Sequence, residues 1–358
     1  LVAGTLRRVG AYREARVTTR LAFGALLLLL LLIAVGLVSL TMGPVKIPLS
    51  HVWSVVLGWF SVDASEATTT EQLVIEQLRM PRIIAGALVG AALGASGAMM
   101  QGLFRNPMAD PGIIGVSSGG AVGAVLAIAF GAHTAFYLAL PTFAFIGALG
   151  AAFLVYGIAL AGGRFSMATL LLAGIAVSSF LGAIVSTVLV VVPRNDALRD
   201  ILFWLAGGLD GRTWEHVRIA APMILGGMAV MLAFARDLNL LMLGDDEARS
   251  LGVRVSVARP VIIAAAALAT GTAVAVAGII SFVGLVVPHI LRLIFGPDNR
   301  VLVPLSALGG AVFVVLADTL ARTVIQPAEF RVGILTSLVG APFFIFLLLR
   351  NKRHADAL

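Results

Sequence analysis

From Leu21 onward the chain is built from long apolar runs, each closed off by arginines, prolines or glycines. Several runs reach about 20 residues with few or no charges. That is the length at which a helix rising 1.5 Å per residue crosses a hydrocarbon core of about 30 Å. The pattern predicts ten crossings, near residues 21–41, 83–103, 112–131, 135–160, 167–192, 214–235, 257–274, 277–295, 301–321 and 332–349. The stretch from Val257 to Phe295 is too long for one helix, and the small-residue segment TGTAVAVAG is where the pattern divides it. Short alternating segments of the kind that build a transmembrane barrel are absent. The expectation is an all-α polytopic membrane protein with one domain over residues 1–358. It would carry a basic cytoplasmic N-terminus at 1–20 and a cytoplasmic loop at 236–259.

Composition agrees with this reading. Hydrophobic residues make up 60% of the chain and charged residues 12%, against about a quarter charged in ordinary soluble domains; the mean hydropathy is +1.05. The net charge of +7 does not form one basic stripe, so it argues for topology and against a nucleic-acid partner. Ten crossings put both ends on one side. On the presumed cytoplasmic side there are sixteen Lys and Arg against nine on the other, which favours termini inside. Five arginines precede the first run, as in a signal peptide, but the run is longer than a typical signal core and TMGPVKIPLS after it offers no small-residue cleavage site. It is expected to remain as an anchor. The chain has no cysteine, which excludes disulfides, thiolate catalysis and Cys-ligated metals.

The crossings are nearly bare of ionisable groups, and Asp318 and His289 are the main exceptions. Arg322 stands four residues after Asp318, a spacing suited to an ion pair on one helix face, and His289 is expected near an inner helix end in a capping or contact role. No metal-ligand cluster, activated nucleophile or phosphate-cradling GxxxxGK[ST] motif occurs. The chain is therefore not expected to be an enzyme or to hold a cofactor, and any ATP-driven step needs another subunit. The inner segment RDLNLLMLGDDEARSLGVRVSVAR is where such a subunit would press. Gly244 breaks the chain, Asp245, Asp246 and Glu247 suit a first helical turn, and Gly252 suits a helix stop. Leu243, Ala248, Leu251 and Val253 are apolar residues in want of a partner. On the outer side, PRNDALRDILFWLAGGLDGRT contains an amphipathic stretch whose Trp204 is expected at headgroup level.

Seven colinear pieces carry a family resemblance: LRMPR, GAALGASGAMMQGLFRNPMADPGIIGVSSGG, LLLAGIAVSS, LGDDEARSLGV, ISFVGLVVPHILRLIFGPDNR, PLSALGGA and VGILTSLVGAPFFIFLLLR. From about Leu78 to the C-terminus the chain resembles the FecCD-type permeases, the membrane subunits of type II ABC importers for haem, iron siderophores and cobalamin. The resemblance implies a homodimer with the path between the copies, two ATP-binding ATPase subunits, and a periplasmic substrate-binding protein. It implies a place in the bacterial inner membrane with both termini cytoplasmic. ATPase coupling would fall to Asp245, Asp246, Glu247, Ala248, Leu251 and Gly252, and docking of the binding protein to Arg79, Arg82 and Arg322. A cytoplasmic gate would be formed by Asn106, Met108, Ser166, Met167 and Ala168. Met167 departs from the small hydroxyl residues usual in that place. Arg194 and Arg199 are candidates for an outer vestibule, where they can meet an anionic cargo or serve only as helix-end charges. Haem is the first choice of cargo. An ion-coupled secondary transporter is the alternative, and it would need Asp318 as its working carboxylate.

Overall fold

The computed structural model describes residues 2–43, 45–58, 67–135, 138–161, 166–192, 195–325 and 329–355, and every regular element among them is helical. The first half contains α1 (Val2–Thr41), α2 (Leu49–Gly58), α3 (Thr69–Leu73), α4 (Met80–Leu103), α5 (Val116–Ala129), α6 (Ala132–Ala135), α7 (Ala139–Leu160), α8 (Met167–Val191) and α9 (Asn195–Leu205). The second contains α10 (Trp214–Ala233), α11 (Ala235–Leu241), α12 (Asp245–Ser250), α13 (Val255–Ala277), α14 (Val283–Phe295), α15 (Asn299–Thr323) and α16 (Val332–Ala355). A π-helical turn, Val74–Arg79, joins α3 to α4, and a 3-10 turn, Pro111–Ile114, precedes α5.

All ten expected crossings coincide with helices, but not with equal ones. Seven described helical stretches are long and apolar enough to span a membrane; α5, α14 and the Val332–Phe346 part of α16 are shorter. With 14 and 13 residues, α5 and α14 rise only about 20 Å, short of the hydrocarbon thickness. Each is entered through irregular backbone, at 104–115 and 278–282. Such backbone is tolerated at membrane depth only where protein or water satisfies it. The break expected within TGTAVAVAG falls at its last residue, Gly278. The stretch 270–277 stays helical and buried, and the chain turns at Gly278 (φ 67) and Phe282 (φ 68). At the N-terminus, the basic segment 1–20 is the helical continuation of α1 from Val2 rather than a separate tail.

The order of parts repeats with opposite direction. The long α4 leads to the short α5 through Gly115 (φ 82), and the long α13 leads to the short α14 through Phe282. The segments RMPRIIAGALVGAALGASG and ARPVIIAAAALATGTAVAVAG, each opening on Arg and Pro before an Ile-Ile pair and a small-residue helix, fit an inverted-topology repeat of this kind.

Close backbone approach holds the bundle together. A Cβ on Gly90 would run into the carbonyl of Gly310, and one on Gly94 into that of Ser306, so α4 and α15 meet main chain to main chain. Lipid tails give helices no hydrophobic reason to associate, so small residues that permit such contact supply much of the attraction.

Contacts at the helix ends separate two faces. On one, Arg20 reaches the carbonyl of Phe295 (3.3 Å) and Asn239 bonds Asp298 (2.7 Å). On the other, Trp214 Nε1 donates to Glu76 O (2.8 Å), Gly208 N to Ala277 O (2.8 Å) and Gly333 N to Gly207 O (3.2 Å). α16 starts on this second face, whereas α11 and α12 belong to the first.

Candidate coupling, gate and outer-face sites

The segment 242–253 folds as a short helix between two glycines. Gly244 (φ 147) and Gly252 (φ 90) adopt backbone that residues with a Cβ rarely take. Gly252 N donates to Arg249 O (3.0 Å) and Val253 N to Ala248 O (2.9 Å), the paired bonds of a Schellman C-cap. Asp245 forms a two-bond fork with Arg259, at 2.9 and 2.5 Å. Asp246 is fully in solvent beside Arg249 (3.0 Å), and Glu247 is exposed. Leu243 and Leu251 are 62% and 58% exposed. Ala248 and Val253 depart from expectation. They are buried at 0% and 6% and root α12 in the chain's own core, which leaves the two leucines and the acidic pair as the presented surface.

Asn106 builds the turn after α4. Its side-chain oxygen accepts from Met108 N (2.9 Å), its own N–H bonds Gln101 O (3.1 Å), and Asp110 caps the following 3-10 turn through Gly112 N (2.8 Å). Met108 is partly exposed. Ser166 caps α8 by accepting from Thr169 N (3.4 Å), Met167 packs at the edge of the main core, and Ala168 is exposed. A Cβ on Gly174 would strike Ile113 O, so α8 sits directly on the 3-10 turn. The two expected gate segments therefore share the face of α12.

At the other face the three arginines expected to dock a partner are largely engaged inside the chain. Arg79 is 5% exposed and donates to the carbonyls of Leu40 and Val45. Arg322, 4% exposed, reaches Ser39 and pairs with Asp318 at 3.2 Å. Arg82 grips Asp318 (2.9 Å) and Glu329 (3.0 Å). Guanidinium groups this deep require carbonyls and a counter-ion. Asp318 supplies the latter, and the expected Asp318–Arg322 pair is present. All three arginines line a cavity of about 480 Å³ together with Asp210, Arg212 and Glu329. His289 lies half-buried midway along α14, not at its inner end.

A second cavity on this face, of about 270 Å³, is lined by Phe203, Trp204, Asp210 and Arg331. Arg199 and Arg331 lie over the Phe203 ring at 5.1 and 4.4 Å, within cation–π range. Arg194 lies outside the described residues. Trp204 is 7% exposed and packs against Ile201, Ala197 and Val274, so it serves as core and not as a headgroup anchor. Burial, the largest single influence, raises the Asp210 carboxyl, but the hydrogen bond and charge of Arg331, with the backbone and Arg82, together hold it below the ordinary carboxylate range. Spacing in the sequence does not announce the Asp210–Arg331 pair, because 120 residues of chain separate its members. Among the described residues no group of three or more His, Asp or Glu side chains is arranged to hold a metal ion.

The profile of the FecCD transport family matches residues 29–350. The cobalamin import system permease protein BtuC of Halobacterium salinarum is 44% identical over 89% of this chain and 93% of its own length. The hemin transport system permease protein HmuU of Yersinia pestis is 41% identical over 95% of this chain and 99% of its own. A solved structure titled as an inward-facing conformation of a metal-chelate type ABC transporter superposes with a TM-score of 0.79 at 34% identity, covering 90% of this chain and 97% of that one. The small-residue helix contacts, the short half-helices and the capped inner helix thus have a common explanation: the chain belongs to the FecCD transport family and is a multi-pass permease subunit of an ABC importer, whose ATP hydrolysis resides in a separate subunit.

Proposed function

We propose that two copies of the chain form the translocation path for a large organic metal chelate, with haem the first choice and cobalamin or a ferric siderophore the other members of the class. The observation that carries this reading is the outward face of α8. The helix has no ionisable residue, and Ala176, Ser179, Ala183, Ser186 and Thr187 stand exposed along it. A lipid-facing surface favours large apolar side chains, whereas small ones let a second helix approach closely. The names of the relatives support a metal chelate as cargo.

In this reading α12 offers Leu243, Leu251, Asp246 and Glu247 to an ATPase, while Asp245, Ala248 and Gly252 hold its shape. Asn106, Met108, Ser166, Met167 and Ala168 border the inner gate. Arg82, supported by Arg79 and Arg322, meets acidic residues of a binding protein at the outer cavity, and Arg199 stands beside the vestibule. The protein would lie in a bacterial cytoplasmic membrane with both termini inside. Ion-coupled transport is disfavoured, since Asp318 is 2% exposed and held between two guanidinium groups as their structural counter-ion.

Reconstitution with candidate ATPase and binding-protein partners tests the proposal. Uptake of haem, cobalamin or a ferric siderophore should require both partners and ATP. Uptake that continues without the ATPase would overturn it.

A further inference from the structure

One side chain connects the turn after α4 to the coupling segment. α4 ends with the same pair of bonds as α12: Arg105 N donates to Gly102 O (3.1 Å) and Asn106 N to Gln101 O (3.1 Å). The residue at the left-handed position of such a cap is usually glycine, as Gly252 is in α12. After α4 it is Arg105, at φ 49, a conformation disfavoured for a residue with a Cβ. The local cap makes no use of the guanidinium, which reaches across to the coupling segment. Its Nη2 donates to Leu241 O at 2.8 Å and stands 3.8 Å from Asp245 Oδ1. Leu241 ends α11 and Asp245 opens α12. Asp245 is at the same time gripped by Arg259 near the start of α13.

We propose that Arg105 is a positioning residue that transmits displacement of α12 into the turn bearing Asn106 and Met108. The proposal rests on the reading of α12 as the ATPase contact and of this turn as part of the inner gate. The Arg105 side chain is 45% exposed and that of Asp245 35%, so charge attraction alone is weak there. What fixes the geometry is the hydrogen bond to the terminal carbonyl of α11, where a cation is also favoured by the helix dipole. At the other end, the side chain leaves a backbone locked by two capping bonds, so a shift of the 241–245 hinge is delivered to the turn and not absorbed by a loose loop. The strained backbone then has a reason: a glycine would make the better cap but could not reach α11.

Because the chain lacks cysteine, single spin labels can follow each end in the assembled transporter. Met108→Cys reports the gate turn and Leu251→Cys reports α12, each compared with and without a non-hydrolysable ATP analogue. In the otherwise unaltered chain both labels should shift. In Arg105→Gly, which suits the left-handed backbone, the label at 251 should still shift and the label at 108 should not, while cargo taken up per ATP hydrolysed falls about tenfold. If Arg105→Gly cannot be purified, Arg105→Gln removes the cation but keeps most of the stem and carries the same expectation. A label at 108 that moves normally in these variants, with unchanged uptake per ATP, overturns the role of Arg105. If neither label moves even with Arg105 in place, the underlying reading of α12 and the gate fails instead.

Discussion

At the scale of single residues, Asp318 decides whether the end of the bundle that bears Arg82 and Arg322 holds together. Its carboxylate pairs with Arg82 and Arg322, two arginines 236 and 4 positions away. Asp318→Asn keeps the shape and removes the charge, leaving two largely buried cations without it. Breaking a buried pair by removing one partner costs about 3–5 kcal/mol, so detergent-solubilised Asp318→Asn should unfold well below the parent temperature. An unchanged midpoint would show that Glu329 and the chain's carbonyls satisfy the arginines without it. Asp210 gives the complementary case at the surface. Its folded pKa is depressed by Arg331, so the tie it makes is fully present above the unfolded carboxylate value of about 4 and is lost as pH falls through the lower folded value. Hydrogen exchange at Gly207 and Gly333, adjoining this pair, should quicken relative to the bundle core as pH drops through that window. Asp210→Asn should abolish the difference. An identical pH response in the variant would place the effect elsewhere.

At the scale of elements, the decisive packing is α4 against α15. Gly90→Leu would place a branched side chain where the carbonyl of Gly310 stands, and backbone cannot move aside as a flexible side chain can. Overpacking of cores costs typically 1–3 kcal/mol and occasionally more, so this variant should yield little monodisperse protein. Gly226→Leu, on α10, is the control, since nothing lies within 4 Å of its absent Cβ; equal losses in both would refute close packing as the cause. The ten helices were legible because run length against bilayer thickness needs no tertiary information. The shortness of α14 was not, because its boundary depends on Phe282 taking a positive φ, which no apolar count reveals. Gly244 and Gly252 were legible as punctuation around α12, whereas the burial of Ala248 depends on which side of a six-residue helix meets the core. The outer arginines could be located by their motif, yet their satisfaction by Leu40, Val45, Ser39 and Asp318 required distant chain to be brought together.

At the scale of the whole molecule, the proposed pairing of two copies turns on which surfaces would face lipid and which would face the second copy. α1 exposes Phe23, Leu26, Leu27, Leu30 and Ile33, large apolar side chains that lipid accommodates directly. α8 exposes small and hydroxyl residues among its apolar ones, and Ser179 and Thr187 bond back to the carbonyls of Ile175 and Ala183, so they need no water to be satisfied. Such a helix can meet its symmetry mate closely, because paired membrane helices approach where side chains are small and homo-oligomers favour two-fold contacts of one surface with itself. The cysteine-free chain makes the consequence measurable without background. Ser186→Cys should give a disulfide-linked dimer on mild oxidation in native membranes, and Leu30→Cys should remain monomeric under the same conditions. If Leu30→Cys links and Ser186→Cys does not, α1 and not α8 forms the contact between copies, and the path would have to be sought along α1.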